Sequence, residues 1–197
     1  KVLQSTEINN SVLESIINKC NNTSIHISLF HADEWFVPTL DFWAKREINN
    51  TKVVPELKPP TEVLKSWKQE GKGGHKIMCM GEDTEIDYLY HTLEKEHAND
   101  IILYRSKSTY IEISHRSISK KTAIETLINN CYPNIAMHEV VAFGDNYNDV
   151  EMLKSVGLGI AVANANEAVL KIAKRVTETN INDGVAIALS DIFQLSH

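Results

Sequence analysis

Val140–Leu153 reads VVAFGDNYNDVEML, and this stretch decides the fold. The apolar run Val140–Phe143 has the continuous hydrophobic character of a strand buried on both faces. Gly144 ends it, Asp145 stands at its carboxyl end, and Asn148 and Asp149 follow as a helix begins. In open α/β sheets ligands bind beyond the carboxyl ends of the strands, so these polar groups converge where chemistry takes place. Two carboxylates and an amide within five residues can hold a hard cation such as Mg²⁺, which takes oxygen ligands and accepts few of them from protein. The plain alternative is a strand-to-helix turn whose Asp and Asn only cap the helix. The density of matching residue types over these fourteen positions argues for the site.

Downstream, Gly159–Val162 is a second continuous apolar strand. Upstream, Ala123, Ile124, Leu127, Ile128 and Cys131 recur at helical spacing. From Arg116 onward the pattern is helix, strand, helix, strand, helix, which implies a doubly wound parallel sheet of α/β class. The earlier residues alternate differently. Helices are predicted at Asn9–Cys20, Thr39–Ile48, Pro60–Gln69 and Asp83–His97. Strands are predicted at Ile25–Phe30, Glu34–Val37, His75–Met80, Ile101–Arg105 and Tyr110–Ser114, with a short extended piece at Thr51–Pro55. That order describes a mixed α+β unit ending near Ser114.

The 197 residues carry 20 Lys and Arg against 26 Asp and Glu, a net charge of −6. Nucleic acid demands a basic face, so it is not expected as a partner. No apolar run approaches the ~20 residues that span a bilayer, so no membrane partner is expected. Cys20, Cys79 and Cys131 are odd in number and form no CxxC pair, which points to buried thiols in a reducing cytoplasm.

Gly144-Asp145-Asn146-Tyr147-Asn148-Asp149, followed by Met152-Leu153, resembles the fourth motif (GDxxND) of the haloacid dehalogenase (HAD) superfamily, and within it the Cof-type sugar-phosphate phosphatases. Gly157–Ala165, GLGIAVANA, is similar to that family's next strand and Asn-Ala turn, with Val162-Ala163 where Met-Gly is commoner. Thr177, Asn180 and Asp183-Gly184-Val185 fit its closing segment. Tyr110–Ala123, YIEISHRSISKKTA, resembles the stretch carrying the third-motif lysine, which aligns with Lys120, beside Lys121. The resemblance implies that residues 1–115 are mostly an inserted cap domain and that residues 116–197 are the carboxyl-terminal part of the core domain. It also implies a Mg²⁺-dependent phosphatase of small phosphorylated metabolites, working through an aspartyl-phosphate. Asp145 would ligate the metal. Asn148 would bond the phosphate or the metal's water shell. Lys120 would contact phosphate and nucleophile, and Asp149 would hold the Lys120 ammonium. A phosphomutase of the same superfamily and a non-catalytic binding domain of the same fold are the alternatives.

The family's first motif, DxDGT, which supplies the nucleophilic aspartate, is nowhere in these residues, nor can its second-motif Ser/Thr be placed. The chain is therefore expected to be a fragment, inactive alone and partnered by a missing amino-terminal segment of the same protein. No Ser-His-Asp or Cys-His constellation is visible to replace the nucleophile. Other candidates read more simply. Glu112 is expected to be structural, and His31, His75, His91, His97 and His115 show no ligand spacing. Trp35, Phe36, Trp43 and Trp67 read as core more readily than as sugar-stacking platforms. Asn164, at a strand's carboxyl end, fits either a turn or a site.

Overall fold

The computed structural model describes residues 2–195, apart from the Ser106 side chain. Two compact units are present: Ser5–Ser117, and Ile118–His197 together with Lys1–Gln4.

The first unit runs α1 (Asn10–Cys20), β1 (His26–His31), β2 (Glu34–Val37), α2 (Phe42–Thr51), β3 (Glu56–Leu57), α3 (Pro60–Glu70), β4 (Lys76–Met80), α4 (Asp83–His97), β5 (Ile101–Lys107) and β6 (Tyr110–His115). Its six strands lie in the order β3-β2-β1-β4-β6-β5. All pairs are antiparallel except β2 with β3. Alternation along the strands puts Ile27, Leu29, Ile77, Cys79, Ile111 and Ile113 into one core with Leu13, Ile16, Trp67, Ile86 and Leu93 from α1, α3 and α4. Trp35 and Val37 instead join Ala44 of α2 in a separate cluster. The predicted helix at Thr39–Ile48 starts at Phe42, because the Asp41 carboxylate accepts from the Ala44 amide at 2.8 Å and caps it there. The extended piece expected at Thr51–Pro55 pairs slightly later, at Glu56–Leu57 beside β2.

The second unit runs α5 (Lys120–Cys131), β7 (Val141–Gly144), α6 (Val150–Ser155), β8 (Leu158–Val162), α7 (Glu167–Ile172), β9 (Arg175–Thr177) and α8 (Gly184–Phe193). Its sheet is parallel in the order β7-β8-β9, an α/β arrangement. Leu153, Ala161, Val162 and Val169 centre its core. β9 went unread in the sequence, because Arg-Val-Thr is too short and polar to stand out.

One expectation fails in α5. No residue of that helix is buried, Leu127 is 45 % exposed, and Cys131 is exposed rather than a buried thiol. The helix lies beside α6, and of its apolar stripe Ile124 is the residue that packs against the core cluster. Among the described residues no helix is long and apolar enough to cross a membrane.

Candidate active site

Gly144 closes β7 and turns the chain into a 3-10 turn at Tyr147–Asp149, from which α6 continues. The turn folds around the carboxylate of Asp149, which is 2 % exposed. Its Oδ2 accepts from the backbone amides of Asp145 (2.9 Å) and Asn146 (3.0 Å). Its Oδ1 accepts from Lys120 Nζ at 2.5 Å. Gly144 is obligatory beneath it, since a Cβ there would lie 2.5 Å from Asp149 Cβ. Burial pushes the Asp149 carboxyl up, but the Lys120 ammonium and the two backbone amides outweigh it and hold the group below the usual carboxylate range.

Lys120 is the first residue of α5, whose start is fastened by a reciprocal pair: Ser119 Oγ accepts from the Thr122 amide, and Thr122 Oγ1 accepts from the Ser119 amide. That fastening directs Lys120 to the acidic turn. Lys121 faces Glu125 (3.7 Å) and Glu151 (3.5 Å) instead. Two oxygen-bearing groups next to the pair are left over. The exposed Asp145 carboxylate has no hydrogen-bonded or ionic partner among the described residues. Asn148 Oδ1 is buried without one. A buried amide oxygen with nothing to accept from is rare in folded proteins, and with a neighbouring free carboxylate it suits a hard cation or its water shell. All four residues picked out from the sequence therefore lie on one turn or bond to it.

Asn164 is exposed, and its Oδ1 accepts from the Asn180 amide at 3.0 Å, tying together the turns after β8 and β9. Sequence reasoning missed Asn166, whose side chain donates to Asn146 Oδ1 at 3.1 Å. Its position in a second turn, twenty residues on, left no local signal.

In the Ser5–Ser117 unit the structure assembles what the sequence hid. Asp41 Oδ2 accepts from His26 Nδ1 (2.8 Å), leaving His26 Nε2 to accept from Ser28 Oγ (2.9 Å). This is a Ser-His-Asp relay that the sequence did not show, because its members come from β1 and the cap of α2. It is not a nucleophile: Ser28 is fully buried, and its hydroxyl oxygen also accepts from Trp35 Nε1 at 3.1 Å.

His31 and His75, read as scattered, stack with ring centroids 4.4 Å apart, next to Glu7. The cluster has the residue types of a metal site, but its hydrogen bonds oppose that use. His75 Nδ1 accepts from the Ala32 amide at 2.9 Å, so Nε2 carries the proton and faces Ser5 Oγ at 2.8 Å. Trp35, Phe36 and Trp67 are core, Trp43 lies half-buried under the Arg46 guanidinium, and Glu112 accepts from the Tyr110 hydroxyl.

The profile of the haloacid dehalogenase-like hydrolase family matches residues 1–189. The chain belongs to that family. A Haemophilus influenzae protein provisionally named a phosphatase is 36 % identical over 151 residues, covering 77 % of this chain and 53 % of that protein. A 5-amino-6-(5-phospho-D-ribitylamino)uracil phosphatase of Bacillus subtilis is 34 % identical over 132 residues, 64 % of this chain and 52 % of that one. The chain thus spans about half the length of these curated relatives. A solved HAD subclass IIB sugar phosphatase superposes with a TM-score of 0.81 at 17 % identity, over 99 % of this chain and 71 % of that one, and so shares its fold.

Proposed function

We propose that this chain supplies the metal- and phosphate-binding half of a Mg²⁺-dependent phosphatase acting on small phosphorylated metabolites. One observation carries the reading: the buried Asp149 carboxylate, paired with Lys120, sits beside a free carboxylate on Asp145 and an unpartnered buried oxygen on Asn148. The phosphatase names of the relatives support it, and the ribitylaminouracil phosphatase points to sugar-like phosphate esters as the substrate class.

Phosphoryl transfer is governed by positioning and electrostatics around a highly charged transition state. Asp145 and Asn148 would hold the cation. When bound, Mg²⁺ offsets the mutual repulsion of an anionic nucleophile and an anionic phosphate. Lys120 directs its ammonium to the transferred group, and Asp149 keeps that ammonium in place and charged. No DxDGT motif lies in these residues, so we assign the nucleophilic aspartate, and the aspartyl-phosphate it forms, to sequence outside them. The Ser5–Ser117 unit is assigned as the cap and the second unit as core. The two buried free thiols of Cys20 and Cys79, with sulfurs 3.9 Å apart, support a reducing cytoplasmic setting.

The test compares the 197-residue chain with the complete gene product, using p-nitrophenyl phosphate and a sugar-phosphate panel in Mg²⁺. The complete product should turn over, and Lys120→Ala should lower its rate by about 10²–10³. Asp145→Asn should abolish the Mg²⁺ dependence. Turnover by the 197-residue chain alone would overturn the assignment of the nucleophile.

A further inference from the structure

The carboxylate of Asp145 has no side-chain partner to aim it, so its direction is set by its own backbone. That backbone is gripped from two sides. On one side Asp149 Oδ2 takes the amides of Asp145 and Asn146. On the other, the turn after β8 reaches across: the Asn166 amide donates to the Asp145 carbonyl at 2.9 Å, and Asn166 Nδ2 donates to Asn146 Oδ1 at 3.1 Å. Asn146 Oδ1 in turn accepts from the Tyr147 amide at 2.8 Å. Asn166 is itself anchored, because its Oδ1 caps α7 by accepting from the Val169 amide at 3.0 Å.

We infer that Asn166 is a positioning residue that clamps the Asp145–Asn146 peptide and thereby sets the direction of the Asp145 carboxylate. This rests on the functional reading above only in what the carboxylate is for. Asn166 accepts from the Val169 amide through Oδ1 and donates to Asn146 through Nδ2 at once, two bonds made by two different atoms of one short amide. Aspartate at this position would cap α7 equally well but could not donate to Asn146. The helix cap and the clamp are therefore separable by one substitution.

The experiment uses the chain as it stands and reads three quantities in wild type, Asn166→Asp and Asn146→Ala: the thermal midpoint, hydrogen exchange of the Asp145 and Asn146 amides, and Mg²⁺ affinity by calorimetry. Asn166→Asp keeps the α7 cap and should lower the midpoint by no more than about 4–8 °C, the loss of one hydrogen bond. Exchange of the two amides should speed up roughly fivefold, as for loss of one ordinary hydrogen bond. Mg²⁺ should bind about 10–100-fold more weakly, as when a metal ligand loses its support. Asn146→Ala removes the other half of the same bond together with the acceptor of the Tyr147 amide, so it should give the same two changes at least as strongly, and the double variant should be no worse than Asn146→Ala alone. Wild-type exchange and affinity in Asn166→Asp would overturn the clamp, as would additive losses in the double variant. A wild-type chain that binds no Mg²⁺ would instead sink the functional reading, with the exchange rates still deciding the clamp.

Discussion

Replacing Lys120 with Met removes the ammonium from the Asp149 carboxylate and keeps an unbranched apolar stem of similar length. A hydrogen bond to a charged group contributes about 1.5–3 kcal/mol. The Lys120 side chain is 50 % exposed, so solvent screens the pair, whereas the Asp149 side chain is 2 % exposed and stays buried. Solvent screening therefore reduces the loss to about 1 kcal/mol. In a unit of this size that lowers the thermal midpoint by about 4–8 °C. The loss must depend on pH. Asp149 is held below the usual carboxylate range, so the stability it contributes is present above the unfolded pKa and disappears as pH falls through the folded value. Lys120→Met removes one of the influences that lower this carboxyl while burial, which raises it, remains. Its midpoint should therefore trail wild type fully near pH 7 and converge with it in acid, once Asp149 is protonated in both. Calorimetric scans of both proteins across the acid range measure this. A deficit that is constant with pH, or a larger one in Lys121→Met, would refute the assignment of Lys120 as the partner of Asp149.

Gly144→Ala should cost about 1–3 kcal/mol, since the new Cβ would lie 2.5 Å from Asp149 Cβ; an unchanged unfolding midpoint would show slack at the end of β7. In the native chain, Cys131 should be the thiol that reacts promptly with a water-soluble disulfide reagent. Cys20 and Cys79 are buried, and their contact together with burial holds the Cys79 thiol well up. Release of more than one equivalent without denaturant would contradict that. His26→Ala should destabilise by about 1–3 kcal/mol by unpairing buried Ser28 from its relay. Ser28→Ala should leave any hydrolysis of p-nitrophenyl esters unchanged, and a measurable drop would show that the buried hydroxyl is reached by substrate.

The acidic turn was legible because strand, glycine and polar residues occupy adjacent positions, so a local pattern carries it. Helix periodicity likewise marked α1 and α4 at or within one residue of their observed bounds. What stayed hidden depends on partners distant in the chain. The Ser28–His26–Asp41 relay, the stacked His31 and His75, and the reach of Asn166 to Asn146 all join separate elements, and no spacing rule describes them. Cys131 shows the same limit from the other side: its place on an apolar stripe said nothing about whether anything lies over that stripe. The amino-acid sequence by itself determined which residues stand in the acidic turn and that strands and helices alternate around it, because backbone geometry and hydrophobic period act over a few residues. The resemblance singled out Lys120, the tertiary structure pairs its ammonium with Asp149 and turns Lys121 to Glu125 and Glu151, and only the tertiary structure decided which oxygens are left without a partner. Those are outcomes of packing, in which each donor is assigned by whatever else the fold brings within about 3 Å of it.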